Sequence, residues 1–406
     1  MRFSSCLAAA TALTAGVSAA PAASAANDLE AARAEVNKMV ADITAKKMAE
    51  LQARAVEAKQ KGRCKSTCTA DNVIVRKEYG DLTKEERADY VRAVKCLMEL
   101  PARTPRSVAP GARSRFDDFT VTHIQQTLKI HYTGNFQPWH RWFLFTYEKT
   151  LRDECGYKGY HPYWDWAKYA TAPQDSPIFN GDQYSLGGNG EWIGTHEGPM
   201  VGVPEAGATP LRLPPGVGGG VVKTGPFQNR TILLGPVGTI EGVPAGPNNG
   251  LGENPRSWKR DVGPGVNMRF ANYTTVLNLL TAPDIDSFRN VSEGGKGTSE
   301  IGPHGGGHYT IGGDPGGDVF TSPNDPAFYV HHGQMDRVWF LWQEQDRANR
   351  LHDLGKGLYA HQTWWNEPAS NLTSPDEIID LGYAGGKIAI KDVADTTSGP
   401  FCYIYQ

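Results

Sequence analysis

Six histidines constrain this chain more than any other feature, because they form two groups and each group falls on what the surrounding residues mark as a buried face. The first group is His123, His131 and His140. His123 follows Phe116 and Phe119 at helical spacing, and His140 precedes Phe143, Leu144, Tyr147 and Leu151 in the same way, so both lie on apolar faces of predicted helices. A histidine facing a core must find a partner. One alone is most simply a hydrogen-bonded core residue. Three within 18 residues ask for a shared partner, and neutral imidazoles converging at about 2.0–2.1 Å on one metal ion supply it.

The second group opens with His304 and His308, an i, i+4 pair whose Cβ atoms would lie about 5–6 Å apart on one helical face. Three intervening glycines weaken the helix. Zinc proteases share the H-x-x-x-H spacing but need Glu directly after the first histidine, and here that position is Gly305. The group is completed within Asp325–Gln343, which offers both His331 and His332. Phe328, His332, Met335, Trp339 and Trp342 form the most apolar stripe of that segment, whereas the stripe through His331 includes Ala327 and Gln334. Periodicity favours His332 as the ligand and leaves His331 a supporting or packing role. Two imidazole triads suit copper or zinc better than magnesium or calcium. Blue-copper His-His-Cys sets and the H-x-H pairs of multicopper oxidases do not occur here.

The helical segments read from the pattern are Asn27–Lys61, of solvent-facing composition; Thr83–Leu100, opened by a T-x-x-E capping box; Arg115–Tyr132; Pro138–Glu154; Ala271–Leu280; and Asp325–Arg350. Between Gly181 and Gly265 glycine and proline are dense and no helical period persists, which predicts long loops with a few short strands. Gly294–Gly317 is a glycine-rich separator. With 41 Lys and Arg against 44 Asp and Glu, the chain lacks the electrostatic footprint of a nucleic-acid or anionic-membrane binder, and a small neutral partner is expected.

Residues 1–26 carry Arg2, an apolar run and Ala23-Ser24-Ala25, the pattern of a secretory signal. Export is therefore expected, with residues 27–406 forming one domain that includes an N-terminal helical extension over 27–62. Sequons at Asn229, Asn272, Asn290 and Asn371 agree with export. Cys64, Cys68, Cys96, Cys155 and Cys402 then allow two disulfides of unreadable connectivity and one leftover thiol.

The ordered combination H-x7-H-x8-H running into W-H-R-W-F, then P-Y-W-D-W at Pro162–Trp166, then H-x3-H, then D-P-x-F-x-x-H-H-x-x-x-D-R-x-W resembles the tyrosinase, catechol oxidase and haemocyanin superfamily from about His123 to Trp342. The resemblance implies a mainly α fold in which a central four-helix bundle holds two copper ions, with long loops and a few short β-strands. It implies His123, His131 and His140 on one copper and His304, His308 and His332 on the other. It also implies a small phenolic substrate and dioxygen as partners. Glu300 matches the position where relatives place a glutamate that holds a water near the metal pair, Asp336 would orient a ligand imidazole or pair with Arg337, and Val319 matches a gate position over the second copper.

Departures from the family pattern refine the expectation. Gly305 stands where many tyrosinases have Asn, which favours oxidation of o-diphenols or o-aminophenols over hydroxylation of monophenols. Lys129 replaces the cysteine that forms a thioether in fungal relatives. Tyr403-Ile404-Tyr405 resembles the Y-x-Y that closes the catalytic domain, so no C-terminal shielding domain is expected. The leading reading is a catechol oxidase. A haemocyanin-like oxygen carrier and a zinc hydrolase on the same histidines are the alternatives, and the long N-terminal helix leaves room for a homodimer.

Overall fold

The computed structural model describes residues 20–62, 67–202 and 207–406, with side chains from residue 27 onward. The predicted signal segment therefore lies outside the described residues except for 20–26, which run into the first helix, and Cys64 also lies outside them. The chain is mainly helical: α1 (Ala20–Gln60), α2 (Lys84–Glu99), α3 (Arg115–Ile130), α4 (Phe136–Cys155), α5 (Pro264–Phe270), α6 (Tyr273–Leu280), α7 (Ile285–Glu293), α8 (Gly302–Ile311), the single turn α9 (Gly313–Gly316) and α10 (Ala327–Gln345). Strand is confined, among the described residues, to five two-stranded sheets.

The helix ends follow the local chemistry of the sequence. Thr83 and Glu86 make the capping box reciprocally at α2, and Ser114 with Asp117 does the same at α3. Pro138 stands third in α4, where the N–H it lacks has no partner in the helical ladder. The N-terminal helix is not solvent-facing all round, as its composition suggested, because one face is buried. Ala32, Val36, Ile43, Leu51, Ala55 and Ala58 form a buried stripe, α1 packs on α6 and α10, and the buried Lys47 reaches Glu344 at 3.2 Å.

The glycine-rich separator contains a helix after all. Each added glycine costs a helix roughly 1 kcal/mol against alanine, but here the missing side chains allow close approach. A Cβ on Gly306 would stand 2.5 Å from Phe270 Cβ of α5, and one on Gly307 would run into the His331 ring of α10. The glycines of α8 thus let it sink between its neighbours.

The loops of 181–265 form three short antiparallel pairs and are tied to the helices by one buried ion pair. Arg260, fully buried, donates to both carboxylate oxygens of Asp325 at 2.8 and 2.6 Å and to the carbonyls of Leu186, Gly187 and Gly188. Asp325 also accepts from Trp258 Nε1 and from the Ala327 amide, so the D-P opening of α10 is the anchor of the loop layer. At the other end, Tyr403–Tyr405 pairs in parallel with Ile74–Arg76, and disulfides join Cys68 to Cys402 and Cys96 to Cys155.

Candidate metal centre

Helices α3, α4, α8 and α10 surround the centre and carry five of the six histidines; His131 sits in the turn after α3. All six are buried. His123, His131 and His140 form one group, and His304, His308, His331 and His332 another, with ligand atoms within 4.8 Å of one another in each. The groups meet face to face: His140 stacks on His332 with ring centroids 4.3 Å apart and planes 9° apart, and His131 lies 5.4 Å from His304.

Each ring of the first triad directs Nδ1 to a backbone carbonyl: His123 to Phe320 at 2.9 Å, His131 to Thr127 at 2.9 Å and His140 to Phe136 at 2.8 Å. A carbonyl only accepts, so Nδ1 bears the proton and each Nε2 presents a lone pair. Those three Nε2 atoms are buried and have no partner among the described residues. Three buried lone pairs pointing at one another are costly unless a cation lies between them.

In the second triad, His308 Nε2 lies 3.2 Å from both His304 Nε2 and His332 Nε2. Nitrogens about 2.0–2.1 Å from a common ion at near-tetrahedral angles sit roughly 3.3 Å apart, so this spacing fits a metal. Burial holds the imidazoles of His123, His140, His304, His308 and His332 well below the ordinary value and His131 at about 4. Neutral rings are the ligating form.

His331 is in the cluster but has no lone pair to give. Trp166 Nε1, which only donates, reaches His331 Nδ1 at 2.9 Å, so His331 Nε2 carries the proton and donates to the His304 carbonyl at 3.0 Å. The P-Y-W-D-W motif thereby acquires a role: Trp166 fixes the His331 tautomer, and His331 fixes the first turn of α8. Phe328 packs under both triads, 4.2 Å from His332 and 5.3 Å from His123 between ring centroids.

Two sequence expectations are corrected. Glu300 is on the surface, its side chain 60% exposed and paired with Arg269 at 2.9 Å, because α7 ends at Glu293 and the connection that follows turns outward. A carboxylate that the fold does bury beside the His131 turn is Glu293. Its Oε1 accepts the Tyr132 amide at 2.7 Å, its Oε2 is buried without a partner among the described residues, and burial pushes its carboxyl up to about 8. The signal for it was present, since Ile285, Phe288, Ser292 and Glu293 share one buried face of α7.

Asp336 orients no imidazole and does not pair with Arg337, which instead reaches the Gln406 carbonyl. It accepts from Arg141 Nε at 2.6 Å and from the hydroxyls of Tyr403 and Tyr405 at 2.7 and 2.6 Å. Burial alone would raise its carboxyl, and the Arg141 and Arg76 guanidiniums outweigh that and hold it below the ordinary value. Arg141 follows His140, and Asp336 lies one turn beyond His332. The pair therefore pins α4 to α10 at the level of His140 and His332, and the Tyr403 and Tyr405 hydroxyls seal it.

Val319 is half-buried in the loop between α9 and α10, next to Phe320, whose carbonyl orients His123. Gly305 lies in α8, where a Cβ would stand 2.8 Å from Ile301 Cβ. His196 is in neither group and pairs with Asp261.

Residues 113–345 match a family model described as the common central domain of tyrosinase. Tyrosinase P of Aspergillus terreus is 39% identical over 337 residues, covering 82% of this chain and 92% of that protein. N-acetyl-6-hydroxytryptophan oxidase of Emericella nidulans is 36% identical over 350 residues, covering 84% and 94%. The solved structure of a mutant polyphenol oxidase from Thermothelomyces thermophila superposes with a TM-score of 0.85 at 59% identity, covering 91% of this chain and 98% of that one.

Proposed function

We propose, from the premise that this chain belongs to the tyrosinase family of copper-dependent oxidoreductases, that it oxidises o-diphenols and o-aminophenols to the corresponding quinones or quinone imines with dioxygen, holding two copper ions. The observation that carries this reading is the pair of triads in van der Waals contact, with His140 stacked on His332. His123, His131 and His140 would hold one ion and His304, His308 and His332 the other. When bound, copper supplies the one-electron redox chemistry that couples oxidation of a phenol to reduction of dioxygen to water.

The chain's own residues do the rest. Six neutral imidazoles accept the ions without first losing protons. Carbonyls of Phe320, Thr127 and Phe136 fix the first three rings, and burial of all six keeps bulk water away. A phenol, with an unperturbed pKa near 10, must lose its proton to bind a metal well at neutral pH. The role assigned to Glu300 by sequence passes to Glu293, whose Oε2 is free and whose Oε1 is tied to the residue after His131; with its carboxyl raised to about 8, it accepts the phenol proton in its ionised form, whose share grows as pH rises toward 8. The Emericella relative's name, an oxidase of a hydroxylated tryptophan, supports an extension of the substrate range to substituted hydroxyaromatics.

Export belongs to the same reading. Two disulfides suit an oxidising compartment, and three of the sequon asparagines, Asn229, Asn290 and Asn371, are exposed, whereas Asn272 spends its side chain capping α6.

An oxygen electrode tests the proposal. Copper-loaded protein should consume oxygen with catechol and 2-aminophenol and more slowly with tyramine. His140→Ala should abolish uptake and His196→Ala should not. Reversible oxygen binding with no quinone formed, or hydrolysis by a zinc-loaded and copper-free protein, would overturn it.

A further inference from the structure

Of the six converging imidazoles, only that of His131 is borne by a turn. Its backbone is extended at φ −123° and ψ 144°, and the next residue, Tyr132, takes the left-handed conformation at φ 51°, which a bulky side chain rarely adopts. The hydrogen bond from Nδ1 to the Thr127 carbonyl sets the tilt of the ring. It does not fix the path of the turn. A ligand on a turn keeps its place only if something outside the turn holds it.

Tyr132 is gripped by such a partner. Its ring centroid lies 4.6 Å from that of Trp364, 4.9 Å from Trp365 and 5.8 Å from Tyr359, while its amide is bound by Glu293. Trp364 also reaches His131 itself, at 6.0 Å between centroids. The gripping segment is strained like the one it grips, with Trp365 and Asn366 at φ 52° and 57°. The two segments are joined by the Gly134 amide donating to the His361 carbonyl at 2.9 Å. Left-handed backbone at three bulky or polar residues on facing segments persists only where the surroundings over-determine it, and such strain gathers where geometry matters for function.

We propose that Trp364 and Trp365 are positioning residues that clamp Tyr132 and so hold His131 where its Nε2 joins those of His123 and His140. The proposal rests on the reading of the two triads as metal sites. Its consequence is asymmetric: the clamp serves one triad, and the other, carried entirely on α8 and α10, is independent of it.

Copper titration of the metal-free protein, with equivalents counted by mass spectrometry after dialysis against a copper buffer, tests this. Wild type should take two equivalents. Trp364→Ala, Trp365→Ala and Tyr132→Asn, the last tolerating a left-handed backbone while removing the gripped ring, should each bind one equivalent about 10- to 100-fold more weakly and the other unchanged. Trp364→Phe should recover most of the loss, and the melting temperature of metal-free Tyr132→Asn should stay near wild type. Two equivalents at wild-type affinity in all three variants, or parallel loss of both, would overturn the clamp. Should Trp364→Ala fail to fold, Tyr132→Asn and Trp364→Phe decide the matter between them. A wild-type protein that takes fewer than two equivalents refutes the two-triad reading instead.

Discussion

The first triad is held by carbonyl groups and the second by close packing. His123, His131 and His140 each spend Nδ1 on a backbone oxygen, so their orientation follows from the course of the main chain. In the second triad, Nδ1 of His308 and of His332 has no partner among the described residues. Those rings are kept in place by Phe328, by α8 lying against its neighbours through its glycines, and by the Trp166–His331–His304 chain. The difference teaches that one inward convergence of nitrogens has two sets of vulnerabilities, one in the turn and its clamp, the other in packing volume.

The largest expected effect separates the adjacent histidines. His332→Ala should lower kcat by at least about a thousandfold, as loss of an essential group does, and leave one copper equivalent. His331→Gln should keep both equivalents and lower the melting temperature, because it disturbs the Trp166 and His304 partners, each worth about 1–3 kcal/mol when left unpaired. Two equivalents in the first variant, or one in the second, would exchange their roles.

Next in size is the carboxylate beside the first triad. Glu293→Gln keeps an acceptor for the Tyr132 amide but removes the base, and should cost about a hundredfold in kcat on catechol, at the lower end of acid–base contributions. Glu300→Gln should leave the rate unchanged, since that side chain pairs with Arg269 at the surface. Steady-state kinetics on the two variants shows which glutamate handles the proton.

A smaller effect probes packing. Gly307→Ala drives a methyl group into the His331 ring and should cost about 1–3 kcal/mol in urea unfolding, the usual range for overpacking, with weaker copper binding confined to the second triad. Wild-type stability would mean that α8 is free to shift away from α10.

The mildest effect is on pH. Burial lowers the pKa of the six clustered imidazoles, so below the ordinary histidine value of 6.5 the unfolded chain takes up protons that the folded one refuses. Metal-free protein should therefore lose stability as pH falls from 6.5 toward 4, while above 6.5 these groups contribute no slope. Glu293 acts in the opposite sense. Its folded carboxyl titrates near 8 against 4.5 when unfolded, so it lowers stability as pH rises through that interval, and Glu293→Gln should gain on wild type at pH 8 relative to pH 5. Urea midpoints across pH 4–8 check both slopes.

The site was legible wherever regular structure carried it. Helical period favoured His332 over His331, and apolar faces singled out His123 and His140, because a buried stripe repeats and a solvated one does not. Glycine obscured α8, where propensity argues against a helix and only tertiary contact with Phe270 and His331 explains it. Glu300 misled because its sequence distance from His304 matched a family position, whereas burial is decided by the outward turn after α7. Trp166, Trp364 and Trp365 act through residues distant in sequence, and no local pattern announces such contacts. Asp336 was visible as a motif residue, but its partners Tyr403 and Tyr405 come from the other end of the chain.

The account stands on two ions lying close enough together to act on one dioxygen molecule, each held by three Nε2 atoms. X-ray data collected at the copper edge from copper-loaded crystals test it directly. Two anomalous peaks about 4 Å apart, one among His123, His131 and His140 and one among His304, His308 and His332, are predicted. A single peak, or one bonded to His331, would contradict it.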